Sequence, residues 1–72
     1  DDYLKAENFL KRAVELMPDD PIVNDHYGDI LWKLDRKIQA RYFWSNVLQM
    51  ENAEQEIIDS INIKIFRGLK NL

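Results

Sequence analysis

The sequence predicts an all-α fold of four antiparallel helices, and three observations carry that expectation. Apolar residues recur at three-and-four spacing in four successive segments, the pattern of helices with one buried face. Both prolines, Pro18 and Pro21, fall in one short polar turn and not inside a periodic segment. Shifted by 34 residues, the chain overlays on itself: Ala6 falls on Ala40, Phe9 on Phe43, Leu10 on Trp44, Ala13 on Val47, Val14 on Leu48 and Leu16 on Met50.

The first predicted helix spans about residues 2–17, with Tyr3, Ala6, Phe9, Leu10, Ala13, Val14 and Leu16 along its apolar side. Asp1 and Asp2 suit the positive end of its dipole. Pro18 ends it, and residues 17–21 form the turn. Asp20 is the expected cap of the second helix and Pro21 its first residue, where a missing N–H costs nothing. That helix, about 21–34, buries Val23, Tyr27, Ile30, Leu31 and Leu34. Gly28 weakens it by about 1 kcal/mol relative to Ala, so its place implies close approach of the paired helix, with Ala40 as the small partner. Asp35, Arg36 and Lys37 make the next turn, with Asp35 in a left-handed conformation that Asp tolerates.

The third helix, about 37–50, buries Ile38, Ala40, Phe43, Trp44, Val47 and Leu48. Asn52 and Gln55 are spaced as a capping box for a fourth helix, about 53–69, which carries Ile57, Ile58, Ile61, Ile65, Phe66 and Leu69. Acids at its start (Glu54, Glu56, Asp59) and bases at its end (Lys64, Arg67, Lys70) match the helix dipole. Its phase follows the second helix, since Ile61 overlays Tyr27, Ile65 overlays Leu31 and Phe66 overlays Trp32.

A period of 34 residues is that of the tetratricopeptide repeat. Within 18–52, Tyr27-Gly28-x-x-Leu31 and Ala40-x-x-x-Trp44 sit where that repeat has Leu-Gly-x-x-Tyr and Ala-x-x-x-Phe, and Pro18 closes the run before it. The chain resembles a tetratricopeptide fragment over most of its length. The run 24–29, with Trp32, Ala40-Arg41 and Arg67-Gly68-Leu69, is similar to the C-terminal repeats of long bacterial members. It departs from the pattern at Asn24 (Trp preferred), Asp35 (Gly), Asn52 (Pro), and in the swapped order of Tyr27 and Leu31.

The resemblance implies a right-handed helical solenoid. Residues 1–17 would be the second helix of a truncated repeat, 18–52 a full unit, and 53–72 a C-terminal capping helix. It also implies a non-catalytic protein–protein interaction scaffold, part of a larger protein, that holds a peptide or protein segment in a concave groove. The groove positions carried over are Ile22, Asp25, His26, Asp29, Trp32 and Lys33 on one helix. On the last helix they are Glu56, Asp59, Ser60, Ile63, Phe66 and Arg67. Members that grip the C-terminal carboxylate of heat-shock chaperones use Lys and Asn where Asp25 and Asp29 stand, so that ligand is disfavoured. Acids there suit a basic peptide, with Trp32 offering an aromatic contact. Two alternatives stand beside this: a structural C-terminal cap, and a homodimer formed through the first helix, whose face around Tyr3 and Phe9 lacks a covering helix.

Composition narrows the other classes. A formal charge of −3 argues against a nucleic-acid partner. Arg36, Lys37 and Arg41 read as a solvated basic face, and Phe43 and Trp44 as core and not as stacking platforms, with Tyr42 left open. No apolar run approaches the roughly 18 residues of a membrane span, and no leader pattern is visible. The absence of Cys excludes disulfides and thiolate metal sites and leaves the compartment, cytoplasmic or periplasmic, undetermined. Asp25, His26 and Asp29 supply only one His and two carboxylates from one helix, so no metal or cofactor is expected. Neither Ser45 nor Ser60 sits in a glycine-rich nucleophile turn, and no phosphate loop is present, so no enzymatic activity is expected.

Overall fold

The computed structural model describes residues 2–69, and among these the regular secondary structure is α-helical throughout, joined by short turns. The helices are α1 (Asp2–Leu16), α2 (Pro21–Lys33), α3 (Lys37–Leu48) and α4 (Gln55–Arg67). Asp1 and Lys70, assigned to helix ends from the sequence, lie outside the described residues.

The first inter-helix turn is built as its residues dictate. The Asp20 carboxylate accepts from the Val23 N–H at 3.0 Å, and Pro21 opens α2. Asn24 locks the same turn from inside: it is only 1% exposed, and its Nδ2 donates to the Pro18 and Asp20 carbonyls at 3.1 and 2.9 Å. Between α2 and α3, Asp35 takes φ 63°, as expected for a residue that tolerates the left-handed region.

The expected capping box at α4 does not form. Asn52 Nδ2 donates instead to the Asp19 carbonyl, tying the third turn to the first, and Gln55 Nε2 donates to Asp59. Glu54 stands at the cap position with no side-chain hydrogen bond, so α4 starts at Gln55, two residues later than the sequence suggests. α3 likewise stops at Leu48, where the Gln49 and Met50 N–H groups turn back to the Asn46 and Val47 carbonyls.

α2 is central, packing against α1, α3 and, over a shorter stretch, α4; α3 also packs on α4. Among the helices, α1 packs on α2 alone. The fully buried apolar side chains are Tyr27, Leu31, Trp32, Ala40, Trp44, Val47 and Ile61, all but the last from α2 and α3. Of the residues expected to be buried, Val23, Ile30, Leu34, Phe43 and Leu48 are only partly so, and Ile38 and Phe66 are exposed. Ile38 is 87% exposed because it lies in the first turn of α3, past the end of α2, and Phe66 is 86% exposed because no described helix covers that side of α4.

Both glycines are required by aromatic neighbours. A Cβ on Gly28 would overlap the Trp44 indole, so the close approach inferred from the sequence is real but its partner is a ring and not Ala40. Gly68 ends α4 at φ 74°, and a Cβ there would overlap the Trp32 ring.

Candidate functional site

Asp25 and Asp29 stand one turn apart on α2, and α4 answers them with Lys64. Its Nζ lies 2.7 Å from Asp25 Oδ1 and 2.9 Å from Asp29 Oδ1, and all three side chains are largely shielded from water. The Trp44 indole N–H adds to the cluster, donating to Asp29 Oδ1 at 3.1 Å and the Asp25 carbonyl at 3.3 Å. Burial alone would lower the Lys64 pKa, but the hydrogen bonds it donates to Asp25 and Asp29, with their charges, raise it above the ordinary lysine value. The ammonium is therefore held charged, and the acids expected to face a basic ligand face an internal base.

Trp32 is also not an open aromatic contact. It is 7% exposed, stacked on Trp44 with ring centroids 5.5 Å apart. Lys37 Nζ and Arg41 Cζ lie 5.0 and 4.8 Å from its centroid, and Gly68 closes its edge. Arg41 is held there because its Nε donates to the Ile65 carbonyl at 3.1 Å. Of the basic residues expected to be a solvated face, Arg36 and Lys37 are exposed, and Arg41 fastens α4 to the aromatic core.

The other groove residues separate. His26, Asp29 and Lys33 share one open cleft between α1 and α2, 280 Å³ in volume, whose floor is Ala6, Leu10 and Ile30. Lys33 Nζ sits 5.5 Å from the Tyr3 ring centroid at its edge. Ser60 and Arg67 are exposed on α4 and do not line this cleft. A wider concavity of 540 Å³ lies between Glu7 and Lys11 of α1 and Tyr42 and Phe43 of α3, but it contains none of the groove positions and Arg36 bridges it to Glu7. Burial in this region, with the Glu7 carboxylate nearby, raises the Tyr27 pKa.

What the cleft can do is bind. An apolar floor from two helices with a His, an Asp and a Lys on its rim fits an amphipathic segment that buries aliphatic side chains and hydrogen-bonds at its edge. Among the described residues, no group of three or more His, Cys, Asp or Glu is placed to hold a metal ion, and no helix is long and apolar enough to cross a membrane. The sequence reading missed Lys64 and Ile30 as site residues. Lys64 was legible: it is a lone cation on the apolar flank formed by Ile57, Ile61 and Ile65, one unit after Ile30. No family model matches this chain, and no curated protein or solved structure shows significant similarity to it.

Proposed function

We propose that the chain is a non-catalytic protein-interaction module of the tetratricopeptide kind, and that it binds an amphipathic helix in the cleft between α1 and α2. The observation that carries this reading is the cleft itself. Ala6, Leu10 and Ile30 form a continuous apolar floor left open between two packed helices, and His26, Asp29 and Lys33 rim it. One unit further along, the corresponding surface of α3 and α4 is covered by a helix, α2. The basic-peptide reading is reshaped accordingly: Asp25 and Asp29 neutralise Lys64, and affinity comes from burying aliphatic side chains over the floor, with a few central residues carrying most of it.

The test is an array of amphipathic helical peptides, with hits followed by amide chemical shifts on the labelled chain. Binding should move Ala6, Leu10, His26, Ile30 and Lys33, and Ile30→Glu should abolish it while Asp59→Lys on the far helix leaves it intact. Shifts confined to Ile38, Tyr42 and Phe43 would move the site to the wider concavity and overturn the assignment, as would a complete absence of binding.

A further inference from the structure

The 34-residue period assigns every helix to one of two types. α1 and α3 are equivalent, and so are α2 and α4. In the central pair, an α2-type face closes on an α3-type face. Tyr27 packs on Phe43 at 4.6 Å, Trp32 stacks on Trp44, Gly28 lies against the Trp44 indole, and Ala40 and Val47 are fully buried.

Each of these faces recurs at a flank without its counterpart. On α1 the residues equivalent to Ala40, Phe43, Trp44 and Val47 are Ala6, Phe9, Leu10 and Ala13, and Phe9 is 73% exposed. On α4 the residues equivalent to Gly28 and Trp32 are Asn62 and Phe66, both exposed. The molecule therefore presents an uncovered α3-type face on one side and an uncovered α2-type face on the other.

The two faces are complementary in size and polarity. Where the central pair sets the smallest residue against the largest, Gly28 against Trp44, the flanks offer Asn62 against Leu10, so bulk removed from one side is restored on the other. The second set of contacts, between successive α2-type helices, is the pairing of Lys64 with both Asp25 and Asp29. The equivalents are Asp59 and Ile63, both exposed on α4, and Ile30 on the floor of the cleft. Ile63 and Ile30 replace one ion pair by an aliphatic pair, and Asp59 comes to a rim that carries His26 and Lys33.

We propose that the helix received by the α1–α2 cleft is α4 of a second copy of this chain, seated head to tail so that Phe66 and Asn62 close on Leu10 and Phe9, and Ile63 on Ile30. This rests on the cleft being a binding surface. The interface joins two different faces, so each added copy presents a fresh α4, and association extends beyond two chains.

The test is complementation between two variants altered only at exposed positions, Phe9→Glu and Phe66→Glu, followed by sedimentation equilibrium. Wild-type mass should climb past two chains as concentration rises. Each variant alone should stay at one chain, because each has one blocked face. Their equimolar mixture should give a species of two chains and go no further, since the α4 of Phe9→Glu fits the α1–α2 cleft of Phe66→Glu and no other pairing remains. Wild type that stays monomeric at every concentration overturns the proposal. So does Phe66→Glu associating as well as wild type, which would mean symmetric pairing through α1. The Phe66→Glu chain keeps the cleft intact, so its response to the helical-peptide array separates the two ideas. If it binds helical peptides while wild type does not self-associate, the cleft stands and the second copy is not its occupant.

Discussion

Trp32 and Phe66 hold the same place in consecutive units, yet one is 7% exposed and the other 86%. The contrast extends to whole helices. α2 has six buried residues in thirteen, whereas α1, with fifteen residues and an equally regular apolar side, has none. Hydrophobic period determines which side of a helix is apolar; the neighbour determines whether that side is buried. In the centre, two such sides meet and the aromatic core forms. At the flanks the same sides remain in water, where burying a Phe would release about 1.5–3 kcal/mol each. The central pair thus accounts for the core, and the flanks leave apolar side chains in water.

The largest test of that division compares equivalent residues. Trp44→Ala should cost about 3–5 kcal/mol, since it empties the space between Gly28, Trp32 and the Asp29 carboxylate. A chain of this size has roughly 4–11 kcal/mol in total, so the variant should be largely unfolded at ordinary temperature. Leu10→Ala, at the same place in the preceding unit but only half-buried, should cost about 1–2 kcal/mol. Urea midpoints at constant slope would check both. Equal costs would erase the distinction between centre and flank.

Next in size is Lys64, which joins the two α2-type helices. Lys64→Met should cost about 1.5–3 kcal/mol at neutral pH, because it leaves Asp25 and Asp29 adjacent, shielded and without their cation. The folded chain holds this ammonium above its ordinary pKa, so the associated stability is fully present below about pH 10.4 and is lost as pH rises through the folded value. Tyr27 acts with the same sign: its phenol is raised by burial, so the unfolded chain releases that proton first above about pH 10. Wild type should therefore hold its stability up to about pH 10 and lose it steeply above that, and Lys64→Met should lose it less steeply. Parallel profiles for the two proteins would show that the bridge contributes nothing to alkaline unfolding.

How much of this was legible follows from the same physics. Helix number, the Asp20–Pro21 start, the left-handed Asp35 and the close approach at Gly28 rest on local rules, and each is found in the structure. The Asn52–Gln55 capping box failed because a tertiary partner, the Asp19 carbonyl, outcompeted the local one. The partner of the acidic pair was not legible for a related reason. Asp25 and Asp29 could be placed on one face from their spacing, but Lys64 lies 35 residues beyond Asp29 and reaches them only when α4 folds back over α2. Trp32 was placed in the groove by carry-over from the repeat, while Arg41 and Gly68, which enclose it here, were read as surface and as part of a distant motif.

The finest test sets the two residues at the close-approach position against each other. Gly28→Ala gains about 1 kcal/mol of helix propensity but drives a methyl into the Trp44 indole, which overpacking rules put at about 1–3 kcal/mol. Trp44 cannot step aside, because its N–H is held by Asp29 and its ring by Trp32. The net result should be destabilising, by up to about 2 kcal/mol. Asn62→Ala stands at the equivalent position on α4 and is exposed, so only propensity acts, and it should stabilise the monomer by roughly 0.5 kcal/mol. The opposite signs come from a single difference, the presence of a ring above one helix and water above the other. If Asn62→Ala instead destabilises the wild-type chain at high concentration and stabilises it at low, a second copy is supplying over α4 the cover that α3 supplies over α2.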